Sequence, residues 1–172
     1  KAMSYGLAYG LSDFGLSRQL NISVSEARGL MDEYFERFGG VRDYLNGVVA
    51  QARKVGYTET ILGRRRYLPD LDSDNRQRRQ MAERMALNAP IQGSAADVIK
   101  VAMLNVDREL KSGGLQSRML LQVHDELLLE VAPGEREQVE ELVRTAMGSA
   151  ADLTVPLDVS VGVGHSWHEA AH

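Results

Sequence analysis

The stretch LLQVHDELLLEV, residues 120 to 131, places His124, Asp125 and Glu126 between two apolar runs, with no Gly, Pro or Asn to mark a turn. Desolvating a carboxylate costs on the order of several kcal/mol unless a cation or hydrogen-bond donors meet it. Two strands meeting at this triplet would hold both acids at a rigid hairpin tip. Hard oxygen ligands of that kind suit Mg²⁺, with Mn²⁺ as an alternative. The triplet alone is equally compatible with an acidic, solvent-exposed turn.

Three further constellations carry possible chemistry. In KAMSYGLAYG, Lys1, Tyr5 and Tyr9 recur every four residues, so a helix would carry them on one face. A lysine ahead of two aromatics can meet phosphates at one end and stack on a flat ring at the other. Gly6 and Gly10 cost helix propensity, which makes sense where something approaches the backbone closely. An amphipathic helix end with tyrosines in the core is a reasonable alternative for Tyr9 but a weaker one for the whole set. Arg84, Asn88 and Gln92 are also four apart, and such donor-rich side chains serve phosphate and base-edge contacts. An Asn shortly before Pro90 is also what an ordinary helix end looks like. Finally, HEAAH, residues 168 to 172, matches the H-E-x-x-H zinc-peptidase pattern, with His165 as a possible third ligand. With His172 as the last residue no turn follows to lock such a helix, and an exposed helical terminus is the expectation.

The elements that must position these groups are signed locally. Ser23 and Glu26 form a capping box ahead of a stripe of Ala27, Leu30, Met31, Tyr34, Phe35 and Phe38, predicted as a core-facing helix ended by Gly39 and Gly40. A second helix follows up to Gly56. YTETILGRRRYLPDL reads as a short β-element with a turn at Gly63, then an irregular basic segment ending near Pro69. An arginine-rich helix from about Asn75 should break or kink at Pro90 and resume with Ser94 as its cap. Its apolar stripe is then Ile99, Ala102, Met103, Val106 and Leu110, closed by Gly113 and Gly114. Two strands, about 118 to 123 and 127 to 131, and a helix over about 135 to 147 come next. VPLDVSVGVG alternates well enough to predict a further strand. The whole is α+β, with a mainly antiparallel sheet in the second half.

Composition bounds the rest. The 172 residues include no cysteine, which excludes disulfides, thiolate nucleophiles and thiolate-bound zinc and fits a reducing compartment. No apolar run approaches a membrane span. The net charge of −4 hides an uneven distribution: residues 51 to 90 carry 9 basic and 5 acidic groups, and residues 131 to 172 carry 2 and 7. A basic middle with an acidic tail suggests a polyanion on one face, with Arg64, Arg65 and Arg66 at its centre; scattered surface arginines are the bland alternative.

Taken together, KAMSYGLAYG, TILGRRRYLPDL, RMALNAPIQGSAAD and QVHDE resemble, in order and spacing, motifs of the family A DNA polymerases, the bacterial DNA polymerase I group. The resemblance implies part of a right-hand polymerase fold: a helical fingers portion over residues 1–74 and a palm portion over residues 75–172 with the hairpin. It implies template-directed DNA synthesis on primer-template DNA from deoxynucleoside triphosphates, with two Mg²⁺ ions and Mn²⁺ able to substitute, in the bacterial cytoplasm. Lys1 would contact the triphosphate. Tyr5 would lie against its sugar and base, tolerant of a missing 3′-hydroxyl. Tyr9 would occupy the template-side stacking position, with Gly6 and Gly10 making room. Arg84, Asn88 and Gln92 would lie on the duplex near the primer terminus, and His124 near the primer end. Asp125 would bind the catalytic metals, with Glu126 supporting it. Ser94 stands where threonine is frequent and should keep a capping role.

The family's other metal-binding aspartate belongs to a motif upstream of the nucleotide-binding helix, as does the arginine that opens that helix motif, and neither is in this chain. The expectation is therefore half of an active site, completed by a missing N-terminal part of the same polymerase and inactive alone. A non-catalytic nucleic-acid-binding module is the competing class. It predicts salt-dependent DNA binding indifferent to Mg²⁺ and nucleotide.

Overall fold

Two serines set where the helices over residues 13 to 37 begin. The computed structural model of the chain describes Gly6 and residues 11 to 170. Lys1, Tyr5, Tyr9 and Gly10 of the expected nucleotide-binding face, and His172, lie outside the described residues. Ser12 Oγ accepts the Gly15 N–H at 3.1 Å and opens α1, Asp13–Leu20. Ser23 opens α2, Val24–Arg37, through the expected capping box: its hydroxyl accepts the Glu26 N–H at 3.2 Å, and the Glu26 carboxylate accepts the Ser23 N–H at 2.9 Å. The Ser23 hydroxyl and N–H together hold the Glu26 carboxyl below its ordinary pKa. Only Phe38 separates α2 from α3, Gly39–Val55, which ends at Gly56 with φ 80°. Gly39 therefore starts a helix, where the sequence pattern placed a stop.

The aromatic stripe of α2 is the first expectation that fails. Ala27 is buried, but Tyr34 and Phe35 are half-buried and Leu30 and Phe38 exposed. The rings contact one another, Tyr34 to Phe38 at 4.9 Å between centroids, and arginines: Arg42 lies 5.8 Å over the Phe35 ring. The stripe is helical in spacing, yet no described element of this unit buries it.

The chain divides into two compact units, Lys1–Ser94 and Ala95–His172. In the first, β1 (Tyr57–Glu59) and β2 (Arg65–Tyr67) pair antiparallel around the Gly63 turn, with Tyr57 opposite Tyr67. A 3₁₀ turn, Pro69–Asp72, then presents Leu71 to a small core of Ala52, Leu68, Ala82 and Ala86.

Next comes α4, Arg76–Ser112, a continuous helix of 37 residues with Pro90 inside it. The expected break is absent, and Ser94 is not a helix cap. Proline removes one N–H, the one that would bond the Ala86 carbonyl. Neighbouring contacts hold the backbone helical regardless. Ala82 and Ala86 are core residues on the turn before Pro90, and Pro90 is itself buried. On the turn after it, Ser94 Oγ accepts the Ile61 N–H at 3.0 Å and the Gly93 carbonyl accepts from Arg64 Nη2 at 2.9 Å. Gly93 is required for this approach, since a Cβ there would lie 2.6 Å from Thr60 Cγ2.

The second unit packs the C-terminal part of α4 against α5, Arg136–Gly148. Val106, Leu110, Val139, Val143 and Ala146 form its core, and Val106 and Leu110 belong to the stripe read from the sequence. Onto this core sits the hairpin of β3 (Arg118–Val123) and β4 (Glu126–Glu130). Residues 155 to 164 form no strand, against expectation. Val161 packs on the core and the Arg144 guanidinium donates to the Val159 carbonyl, so this segment is tied to α5 by side chains and not by a strand ladder. The fold is thus mixed, mainly helical, with two two-stranded antiparallel sheets among the described residues. No described helix is long and apolar enough to cross a membrane.

Candidate active site

The β3–β4 hairpin turns on His124 and Asp125, with Val123 paired to Glu126. Leu127 and Leu129 pack on the helical core, so by strand alternation Glu126, Leu128 and Glu130 face the other way. All three residues of the His-Asp-Glu triplet are exposed, but they are not equivalent. Asp125 stands at the tip, whereas Glu126 already belongs to β4 and accepts the indole N–H of Trp167 at 3.4 Å.

The tip is held rather than loose. His124 has φ 53°, a left-handed conformation that costs a non-glycine residue on the order of 1–2 kcal/mol. The Gln122 amide donates to the His124 carbonyl and braces that conformation. A register irregularity between Met119 and Leu121 adds local twist just below it. At the base, Arg118 Nε meets Glu130 Oε2 at 2.6 Å across the two strands.

Below that lies a clasp with no obvious sequence signal. Glu135 Oε1 accepts the Gln116 N–H at 2.9 Å, and Oε2 accepts the Ser117 N–H at 2.9 Å and the Ser117 hydroxyl at 2.6 Å. Ser117 Oγ in turn accepts the Ala132 N–H at 2.9 Å, which joins the chain entering β3 to the chain leaving β4. The Gln116 N–H, then the Ser117 hydroxyl, hold the Glu135 carboxyl below its ordinary value of 4.5. A depressed carboxylate pKa contributes stability that is full above the unfolded value and is lost as pH falls through the folded one. Protection of the amides of residues 115 to 119 against exchange should therefore fall as pH drops below 4.5. Glu135→Gln should remove that pH dependence and leave the segment fast-exchanging, by about tenfold, at neutral pH.

The first unit displays the remaining candidates. Because α4 is unbroken, Arg84, Asn88 and Gln92 do share one face, with Arg84 and Gln92 exposed and Asn88 half-buried. Asn88 Oδ1 is buried with no hydrogen-bond partner among the described residues. Of the three consecutive arginines, Arg64 grips the Gly93 carbonyl. Arg65 pairs with Glu59 at 2.8 Å and lies 4.5 Å over the Tyr57 ring, and the Glu59 bond raises its pKa further. Arg66 is exposed opposite Thr58. Gly6 is helical, and a Cβ there would meet the Leu11 side chain at 2.5 Å.

The described part of the H-E-x-x-H pattern lies on a short, largely exposed helix. Glu169 Oε2 accepts the His165 N–H at 2.8 Å, and the Glu169 N–H donates to Ser166 Oγ at 3.3 Å. Ser166 Oγ thereby caps the short helix α6, Trp167–Ala170, and the Glu169 carboxylate ties it back to His165. No group of three His, Cys, Asp or Glu side chains able to hold a metal occurs among the described residues. Asp125 and Glu126 fit a hard divalent cation in donor type but not in donor number.

The model of DNA polymerase family A matches residues 1–169. The chain belongs to this family. Among family A relatives, DNA polymerase I of Mycobacterium tuberculosis H37Rv is 72% identical over 172 residues, covering 100% of this chain and 19% of the relative. DNA polymerase I of Streptococcus pneumoniae TIGR4 is 51% identical over 170 residues, covering 99% and 19%. The chain thus spans about a fifth of the length of these curated family A proteins. A solved structure described as the POL domain of Pol1 from M. smegmatis in complex with DNA primer-template and dNTP superposes with a TM-score of 0.97 at 69% identity, covering 99% of this chain and 30% of that one.

Proposed function

We propose that this chain supplies a fingers portion and a palm portion of a template-directed DNA polymerase, with Asp125 as one wall of its metal site. The observation that carries this is Asp125 displayed at a braced hairpin tip in a family A chain. The reaction is attack of the primer 3′-hydroxyl on the α-phosphorus of a deoxynucleoside triphosphate. A 3′-O–P bond forms, the α–β bridging P–O bond breaks, and pyrophosphate leaves while the hydroxyl proton is released. Bound divalent ions, two Mg²⁺ with Mn²⁺ able to substitute, supply charge neutralisation at the attacking and leaving oxygens. Asp125 supplies a carboxylate for them, and the hairpin keeps it still to a fraction of an ångström, which transfer of this kind demands.

Lys1 meets the triphosphate, Tyr5 its sugar and base, and Tyr9 the template side, with Gly6 leaving room. Arg84, Asn88 and Gln92, aligned on an unbroken helix, contact the duplex near the primer terminus, with His124 at the primer end. Arg66 is the member of the arginine run best placed for phosphate, given the intramolecular bonds of Arg64 and Arg65.

Two carboxylates do not complete a two-metal site, so the 172 residues alone should show no templated extension at any Mg²⁺ concentration. Mg²⁺-dependent primer extension by the purified 172-residue chain would overturn the half-site.

A further inference from the structure

Trp167 is the only tryptophan of the chain, and its indole N–H is the hydrogen-bond donor to Glu126 Oε2, at 3.4 Å. Forty residues separate the two in sequence, and a short helix near the C-terminus brings them together. That helix is built to hold one orientation. The Glu169 carboxylate accepts the His165 N–H, the Ser166 hydroxyl accepts the Glu169 N–H, and the Ala170 N–H donates to the Ser166 carbonyl at 3.1 Å. Gly164 permits the fold-back: a Cβ there would lie 2.5 Å from Glu169 Cβ and 2.9 Å from the Ala170 backbone nitrogen. Four consecutive devices therefore fix a residue that is 46% exposed and contributes little burial. Its indole N–H is directed at the acid next to Asp125.

We infer that Trp167 is a positioning residue for Glu126, orienting that carboxylate toward the cation site shared with Asp125. The indole is a donor only, so it fixes one carboxylate oxygen and leaves the other for the cation or its water. Outer partners that orient a metal-binding carboxylate typically change metal affinity by about tenfold or more when removed. The inference rests on the proposed metal role of Asp125 and Glu126, and its test separates the two.

In the full-length polymerase, bound to a dideoxy-terminated primer-template and dNTP so that no turnover occurs, Mn²⁺ binding is titrated by electron paramagnetic resonance. Trp167→Phe keeps the ring and removes the N–H; it should weaken Mn²⁺ binding by about tenfold. Glu126→Gln should do about the same, and the double variant should be no weaker than either single one. Trp167→His, which restores a ring N–H, should recover part of the loss. Wild-type Mn²⁺ affinity in Trp167→Phe alongside a weakened Asp125→Asn overturns the positioning role. Additive losses in the double variant overturn it too, as does lost primer-template binding in Trp167→Phe that Trp167→His does not rescue. If Asp125→Asn itself binds Mn²⁺ normally, the metal reading fails and this inference falls with it.

Discussion

Alanine at position 125 of the full-length polymerase should lower templated primer extension by about 10³-fold or more, with primer-template affinity changed by less than about threefold. Asp125 is an exposed turn residue, so its removal leaves no cavity and no orphaned buried partner. In the proposed role, what would disappear is a carboxylate at the reacting phosphate, worth about several kcal/mol of transition-state charge stabilisation, and each 1.36 kcal/mol is about a factor of ten in rate. Asp125→Asn separates charge from shape: the amide keeps the size and an acceptor, yet should lose nearly as much. Retention of a tenth or more of wild-type extension in either variant would remove Asp125 from the metal site. Glu126 should be more tolerant, since it already belongs to β4 and shares its carboxylate with Trp167.

Leu71→Ala should be among the most damaging core changes in the first unit, costing about 2–5 kcal/mol. Leu71 is 1% exposed, and the buried side chains around it are mostly alanines: Ala52, Ala82 and Ala86 beside Leu68. Alanines cannot reach inward to fill the void, so the cavity should persist. The loss also loosens the seat of the 3₁₀ turn between β2 and α4. Leu71→Met conserves volume and should cost less than about 1.5 kcal/mol. Amide exchange of α3 and the N-terminal half of α4 in the full-length protein reports the opening of this unit. A cost below about 1 kcal/mol for alanine would mean that the site collapses onto the gap.

Features that depend on neighbours in sequence are legible without a structure. Ser23 and Glu26 are three residues apart, and their reciprocal bonds form once the helix begins. Ala102, Val106 and Leu110 of the α4 stripe are buried because a period of 3.6 leaves one face to bury. The hairpin is legible because two apolar strand-like runs meet at polar residues, and its acids because nothing in an apolar strand would meet them.

Pro90 shows the opposite case. Proline lowers helix preference locally, but a core on the turn before it and the Ser94 and Gly93 contacts after it are long-range, and they prevail. The alternation in residues 155 to 164 is real, yet a strand needs a partner edge, which alternation does not supply. The stripe of α2 has helical spacing, but burial requires a second surface.

By itself the sequence determined most of the local elements and the family, and it marked the hairpin acids and a donor-rich helix face as candidates. Only the tertiary structure decided that the two neighbouring acids have different settings, Asp125 at a turn whose His124 is left-handed and Glu126 bonded to Trp167. It also decided that Glu135 clasps the hairpin base and that Arg64 and Arg65 are tied within the fold. The physical reason is range. Caps, turns and stripes are set by residues a few positions apart. The partner of a carboxylate 41 residues away is set by how the whole unit packs.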